Sequence, residues 1–237
     1  MAPRLAAVEG AGRPRGQAAG AAGDAEGSYP RAWQAAISRG HHRQQPCSAC
    51  RAEPSKRGQA LLARNFTVPA ANTVWVGDMT YIPTEQGWLY LAVVLDLFSR
   101  RIVGWSMGAM IDAALACGAL EMAWLQRSPG NGLIFHSDRG SQYASRGYAD
   151  ILAGHGIKAS MSRKGNCWDN ACSETLFGSL KVERLHGMEF QNHREAKDAT
   201  LDWLLWYNRS RMHSTLGYLS PAQFEQQANA RQHAFAA

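Results

Sequence analysis

Hydrophobic and polar positions fall into a regular rhythm only from Phe66 onward. Residues 73–82 (TVWVGDMTYI) are β-branched and aromatic, which suits a strand. Gln86-Gly87 supplies a turn, and residues 89–98 (LYLAVVLDLF) form a nearly unbroken apolar run, the mark of a strand buried on both faces. Arg100-Arg101 lead into a third strand at 102–107. Residues 112–127 have helical spacing and good helix formers, and Ser128-Pro129-Gly130 ends them. A short fourth strand follows at 133–136, then a helix at 146–154 with Gly156 past its end, then a fifth strand at 158–162. Residues 169–185 and 195–207 read as helices. Ser220-Pro221 opens a last one with a capping serine and a proline in its first turn. Three meandering strands followed by alternating helix and strand predict an α/β fold, a mixed five-stranded sheet flanked by helices.

No such rhythm exists upstream. The first 30 residues hold nine Ala and six Gly, and nothing there repeats at 3.6 or 2. Residues 1–62 therefore read as a low-complexity, disordered tail, 63–228 as the core, and 229–237 as a short C-terminal tail. The formal charge of +6 belongs to the upstream part: residues 1–65 carry ten Lys/Arg against four Asp/Glu, and residues 66–237 carry fifteen of each. Any nucleic-acid contact by the core must then use a local basic patch. No window of 18 apolar residues exists, which excludes a membrane-spanning helix, and the opening MAPRLAAVEGAGRPRGQ has no apolar stretch of the kind a secretory leader needs. Five cysteines are too few and too odd for a disulfide framework and suit a reducing compartment. Cys47-x-x-Cys50 after His41-His42 lacks a second pair and is weak grounds for zinc.

Three acids stand out. Asp78 shares a strand face with Val74, Val76, Thr80 and Ile82, where an unpaired carboxylate costs several kcal/mol or shifts its pKa. Asp138 sits in His136-Ser137-Asp138-Arg139-Gly140-Ser141-Gln142-Tyr143, where a short apolar strand runs into a glycine-bearing loop, a place where ligands gather in open α/β sheets. Glu174 follows the helix-capping pair Asp169-Asn170. Singly, each has an ordinary reading: a structural acid on an amide or an arginine, a loop aspartate closing a turn, a solvated helix face. Asp96, late in the second strand, reads as a buried structural acid. Together, two strand aspartates and a helix glutamate can converge, repel one another and demand cations. Oxygen-only ligands favour Mg²⁺ or Mn²⁺, and two such ions about 4 Å apart can clamp the attacking and leaving oxygens of a phosphodiester. Between Asp138 and Glu174 lie 35 residues.

From Asn65 to Phe224 the chain resembles the catalytic half of insertion-sequence transposases of the two-reading-frame type, which have a retroviral-integrase-like core. The resemblance is carried by Asn72-x-x-Trp75-x-x-Asp78-x-Thr80-Tyr81-Ile82, Leu89-Tyr90-Leu91-Ala92, Asp96-Leu97-x-Ser99-Arg100 and Ile102-Val103-Gly104-Trp105. It continues through residues 136–143, Ser160-Met161-Ser162-Arg163 and Asp169-Asn170-Ala171 with Glu174. It closes with Tyr207-Asn208-x-x-Arg211-x-His213-Ser214-x-Leu216-Gly217-Tyr218-x-Ser220-Pro221-x-x-Phe224.

The resemblance implies an RNase H-like fold and a metal-dependent DNA strand transferase, with Asp78, Asp138 and Glu174 as catalytic metal ligands for two Mg²⁺ or Mn²⁺ ions. It implies DNA partners (element ends and target), a homo-oligomer on DNA, a possible helix-turn-helix protein from the partner frame, and a bacterial cytoplasmic, nucleoid-associated location. A plain nuclease and an inactive DNA-binding remnant are the alternatives. Between residues 139 and 184, seven basic side chains face four acids, so phosphate contacts are expected there. The candidates for DNA binding are Arg139, Gln142, Arg163, Lys164, Asn170 and Lys181, the last two turns beyond Glu174 on nearly the same helix face. Gly77 stands where many relatives carry Thr; its side-chain direction points away from Asp78, so the change is expected to matter little. Residues 1–62 lack the helix-turn-helix of full-length relatives, and codons for Gly40–Pro46 read one base later can spell Val-Thr-Thr-Asp-Ser-Asn, a family-like stretch. An out-of-frame origin of the tail is therefore expected.

Overall fold

The computed structural model describes residues 68–162 and 171–236. The upstream tail and its Cys47-x-x-Cys50 lie outside the described residues. Strands β1 (Val74–Thr84), β2 (Gly87–Asp96) and β3 (Ile102–Gly108) form an antiparallel meander. Strands β4 (Ile134–Ser137) and β5 (Lys158–Met161) join the other side of β1 in parallel, giving the order β3-β2-β1-β4-β5. The helices are α1 (Ala113–Arg127), α2 (Arg146–Gly154), α3 (Ala171–Leu180), α4 (His193–Arg209) and α5 (Pro221–Ala236).

The unbroken apolar run becomes a strand covered on both sides. Leu89, Leu91, Val93 and Leu95 of β2 pack with Leu176, Phe177 and Leu180 of α3 and with Trp203, Leu204 and Tyr207 of α4. Ala92 and Val94 face Ala116, Ala119, Leu120 and Ala123 of α1 and Tyr148 and Leu152 of α2. The first turn lies on Glu85-Gln86, with Gly87 at φ 102 opening β2, so β1 runs two residues past the expected end.

Side chains satisfy the free amides at helix starts, as the sequence predicts. Asp112 accepts from the Leu115 amide at 2.9 Å, and Ser220 and Gln223 bond each other's backbone reciprocally at 3.0 and 3.3 Å. At α4, which starts at His193, before the expected boundary, Asn192 Oδ1 accepts from the Glu195 amide at 3.0 Å, and the Glu195 carboxylate accepts from the Gln191 amide and the Asn192 side-chain amide, each at 2.9 Å. The helix α5 runs to Ala236, through most of the segment expected to be a tail.

Two sequence readings need correction. The single helix expected over 169–185 is described from Ala171, and at Lys181 it widens into a π turn, Lys181–Leu185. The cause is visible in packing: Leu180 and Leu185, five apart, are both fully buried, and i→i+5 winding brings both onto the sheet. Helical spacing predicts Trp203, Trp206 and Tyr207 as one core stripe, but Trp206 is 45% exposed, whereas the other two are buried.

The C-terminal helix is held by charge. Glu225, 5% exposed, accepts from Arg101 at 2.6 Å, Arg127 at 2.8 Å and the Ser99 hydroxyl at 2.8 Å. These donors hold its carboxyl below the usual range despite burial. Asn208 of α4 caps the edge strand by pairing with both backbone groups of Ile102, at 2.9 and 2.8 Å.

Helix α1 lies on β3 at backbone contact. A methyl on Gly104 would stand 2.2 Å from the Ala119 carbonyl oxygen and 2.7 Å from the Ala123 amide nitrogen. Backbone cannot rotate aside as a side chain can. Gly104→Ala should therefore cost about 3 kcal/mol or more, at the upper end of overpacking effects. Urea unfolding measures this, and an unchanged midpoint would contradict the close approach.

Candidate active site

The carboxylate site is built by strand register. Parallel pairing matches Val74 with Ile134, Trp75 with Phe135, Val76 with His136 and Gly77 with Ser137. The next residues on the two strands are Asp78 and Asp138. Both aspartates thus emerge side by side where β4 ends and β1 continues, paired with β2 only. Gly77 makes this pairing possible: a methyl there would stand 2.4 Å from the Phe135 ring and 3.3 Å from the Tyr143 ring. The expectation that Gly77 faces away from Asp78 holds. In this chain the tip of the Phe135 ring occupies the space a side chain at 77 would take, so a larger residue there requires that ring to move.

Asp78 is half-buried on its otherwise apolar face, and among the described residues it accepts one hydrogen bond, from the Met79 amide at 2.7 Å. Burial raises its pKa to about 7, with the charges of Asp138 and Glu174 pushing the same way against the Met79 bond. Glu174 reaches the site from the first turn of α3, where it is exposed. Asp138 is also exposed; its Oδ1 accepts from the Gly140 amide at 2.9 Å, so it closes its loop while facing Asp78. Beneath them Tyr143 is buried, and its hydroxyl is kept protonated by burial and by the Asp78 and Asp138 charges. The acids therefore act on one another as neighbours. Among the described residues no group of three or more His, Cys, Asp or Glu side chains stands at metal-ligand spacing.

Asp96 behaves as the structural acid expected. It is 1% exposed and accepts from the Asn72 amide at 2.6 Å, the Phe98 amide at 2.9 Å and the Trp75 indole at 3.3 Å.

The candidate DNA-binding residues divide. The Arg139 Nε donates to the Ser162 carbonyl at 2.8 Å, tying the Asp138 loop to the end of β5. The Gln142 amide donates to the Ile111 carbonyl at 3.1 Å, tying the same loop to the start of α1. Both therefore shape the loop whatever else they touch. Lys181 is half-buried at the first π-turn position, its ammonium 5.3 Å from the Tyr81 ring centroid, and burial lowers its pKa. Arg163, Lys164 and Asn170 lie outside the described residues. Sequence reasoning missed Tyr143 as a floor to the site; its only signal was its place in the 136–143 stretch. It also missed a cavity beside α3, whose lining joins Leu95 and Leu176 to Arg100, Arg211 and His213.

A five-stranded sheet in this order, with one carboxylate within β1 and another just past β4, defines an integrase-type core of RNase H-like fold. Residues 68–167 and 155–221 each match a family described as integrase core domain. The chain is 48% identical over 169 residues to the transposase InsF for insertion sequence IS3fB of Escherichia coli K12, covering 70% of this chain and 58% of that protein. It is 46% identical over 167 residues to an uncharacterized 31 kDa protein of insertion element IS600 from Shigella sonnei, covering 70% and 61%. The chain thus spans about three-fifths of the length of these curated relatives. Among solved structures, a simian T-cell lymphotropic virus intasome in complex with PP2A regulatory subunit B56 gamma aligns with TM-score 0.57 and 18% identity, over 81% of this chain and 70% of that one. The HTLV-2 integrase catalytic core domain in complex with magnesium (trimeric form) aligns with TM-score 0.50 and 15% identity, over 66% and 98%. These share the fold. The chain belongs to the IS3-type insertion-sequence transposases, with an integrase-like core. Among the described residues no helix is long and apolar enough to cross a membrane.

Asp78 should titrate near pH 7 in metal-free protein. The folded state then holds a proton that the unfolded chain has lost, so stability should fall as pH rises from about 4 to about 7. Asp78→Asn should flatten that slope and exceed the wild type at pH 8 by about 2–4 kcal/mol. Carbon-13 titration of the carboxyl and urea midpoints at pH 5 and 8 test this. Parallel pH profiles in both proteins would refute it.

Proposed function

We propose that this chain is a metal-dependent DNA transposase core that cuts 3′ ends and joins them to target DNA, with Asp78, Asp138 and Glu174 as its catalytic carboxylates. The observation that carries the reading is the mutual action of the three acids at Asp78, at the end of a parallel strand pair. The donor set fits a hard divalent cation: it is all oxygen, and a carboxylate held near pH 7 by burial, with its acidic neighbours adding to the shift, gains most from a positive charge. Asp78, Asp138 and Glu174 would hold Mg²⁺ or Mn²⁺, in keeping with the magnesium of the HTLV-2 integrase core, and two ions would suit a phosphodiester with one attacking and one leaving oxygen. When bound, the ions supply Lewis-acid stabilisation of charge on the phosphate oxygens.

The protein's own part is placement. The paired strand ends fix the two aspartates relative to each other, and the ties from Arg139 and Gln142 hold the Asp138 loop against β5 and α1. Such fixation lowers the barrier by removing misaligned arrangements before reaction. Hydrolysis of a phosphodiester at an element end leaves a 3′-hydroxyl. That hydroxyl attacks a target phosphodiester, one P–O bond forming as another breaks, with a new target 3′-hydroxyl as leaving group. Neither step needs a covalent enzyme–DNA bond. DNA ends and target, a homo-oligomer on DNA and a helix-turn-helix partner complete the reading. The intasome of the viral relative supports an assembly on DNA.

Asp138→Asn should abolish both cleavage and joining, at least about 10³-fold, while keeping the wild-type thermal midpoint, because Asn keeps the oxygen that accepts from the Gly140 amide and removes only an exposed charge. Joined products on a labelled element end distinguish a transposase from a nuclease, which gives hydrolysis alone. Lys181→Ala should weaken DNA binding across sequences and lower the salt slope by about one. An unchanged slope would leave Lys181 as a Tyr81 contact only.

A further inference from the structure

Helix α3 has a second functional flank. At about 100° per residue, Glu174 and Lys181 lie together, while Cys172, Thr175, Leu176 and Ser179 lie roughly 100–160° round the helix from Glu174. That opposite flank lines a cavity of about 210 Å³ closed by Arg100, Tyr207, Arg211 and His213. We propose that this cavity is a second DNA contact, which takes one backbone phosphate between Arg100 and Arg211. The inference rests on the DNA reading above and adds a site apart from the carboxylates.

Three observations carry it. The first is uncompensated charge. Arg101 and Arg127 share Glu225, and Arg211 is gripped by Glu183 at 2.6 and 2.9 Å. Arg100 is half-buried and has no carboxylate partner among the described residues; its Nη1 donates to the Cys172 thiol. The second is strain. Arg100 has φ 59, the left-handed region that costs a side chain about 1–2 kcal/mol, yet it is not glycine. Its side chain lines the cavity. The third is the field inside. His213 touches Arg211 through both ring nitrogens, at 3.2 and 3.4 Å. Burial, then Arg211 and Arg100, hold its pKa at about 4, against a smaller opposing pull from Glu183. Its other close neighbour is the Tyr207 ring, 4.8 Å away, and Tyr207 also feels both arginines. A neutral imidazole, hydroxyls from Ser179, Thr175 and Thr215, and two guanidiniums offer donors to a phosphate with one net positive charge left over.

A helix is only about 10–12 Å across, so DNA engaged at Glu174 can lay a nearby phosphate over the other flank. Free inorganic phosphate offers the same oxygens, and the test separates the two. The His213 ring of the full chain is titrated by NMR alone, with a duplex carrying an element end, and with inorganic phosphate. Duplex should raise its pKa by about 1. Arg100→Asn, which keeps the left-handed backbone affordable, should reduce duplex affinity about tenfold at low salt and the salt slope by about one. Duplex binding with His213 unmoved overturns the proposal, as does a His213 response to inorganic phosphate alone. Absence of any duplex binding by the wild type would instead defeat the DNA reading on which it rests. Should Arg100→Asn fail to fold, the wild-type His213 titration decides.

Discussion

The register of one short parallel strand pair governs everything at the site. Four matched pairs, ending at Gly77 and Ser137, place Asp78 and Asp138 next to each other. A slip of one residue would turn one aspartate to the opposite face. So short a ladder cannot resist slippage by hydrogen bonds alone. It is held by side chains that fit only one way: Phe135 crosses over Gly77, where no side chain stands, and rests against Tyr143 and Tyr148. The hydrogen bond from the Ile134 amide to the Thr73 carbonyl, 3.0 Å, fixes the other end of the pair. Aromatic packing on one face of the sheet thus sets carboxylate geometry on the other.

The molecule treats its buried acids in two opposite ways. Asp96 is surrounded by two amides and an indole, and Glu225 by two arginines and a hydroxyl. Those two are finished, and their work is to close turns and pin a helix. Asp78 has one amide and two like-charged neighbours. The difference is electrostatic and needs no knowledge of ligands: a structural acid is surrounded by donors, and a working acid is left short of them. Arg100 is the same case with the sign reversed.

Much of this was legible in the chain because it depends on near neighbours in sequence. The run at β2 announced two-sided burial. Asp112 and Ser220 announced helix starts, and Asp78 announced itself as a charge on an apolar face. What stayed hidden depends on distant partners. The π turn left one trace, buried leucines five apart at 180 and 185, which a strict helical period passes over. Trp206 shares its spacing with Trp203 and Tyr207, but spacing gives a face only to within the width of the stripe, and Trp206 falls at its edge. Arg139 and Gln142 looked like DNA contacts because a basic or polar loop beside carboxylates invites that reading. Their carbonyl partners, on β5 and before α1, come from the folded chain alone. The cavity behind α3 joins residues from 100 to 215, a combination that no local pattern encodes.

Glu225 carries a consequence for how the protein comes into being. Its partners Ser99, Arg101 and Arg127 precede it by 126, 124 and 98 positions. At ordinary translation speeds, roughly 5–20 residues per second, Ser99 leaves the ribosome's catalytic centre about 6–25 s before the acid that completes its corner is made. Through that interval Arg101 and Arg127 lack their shared counter-charge, and the far end of α1 is tied by the Arg127 bond to Asn72 without the Glu225 pair. The sheet can pair early, but its corner stays open until the last helix arrives. Birth of the native core is thus timed by synthesis, and the open edge is where a nascent-chain chaperone would find its hold.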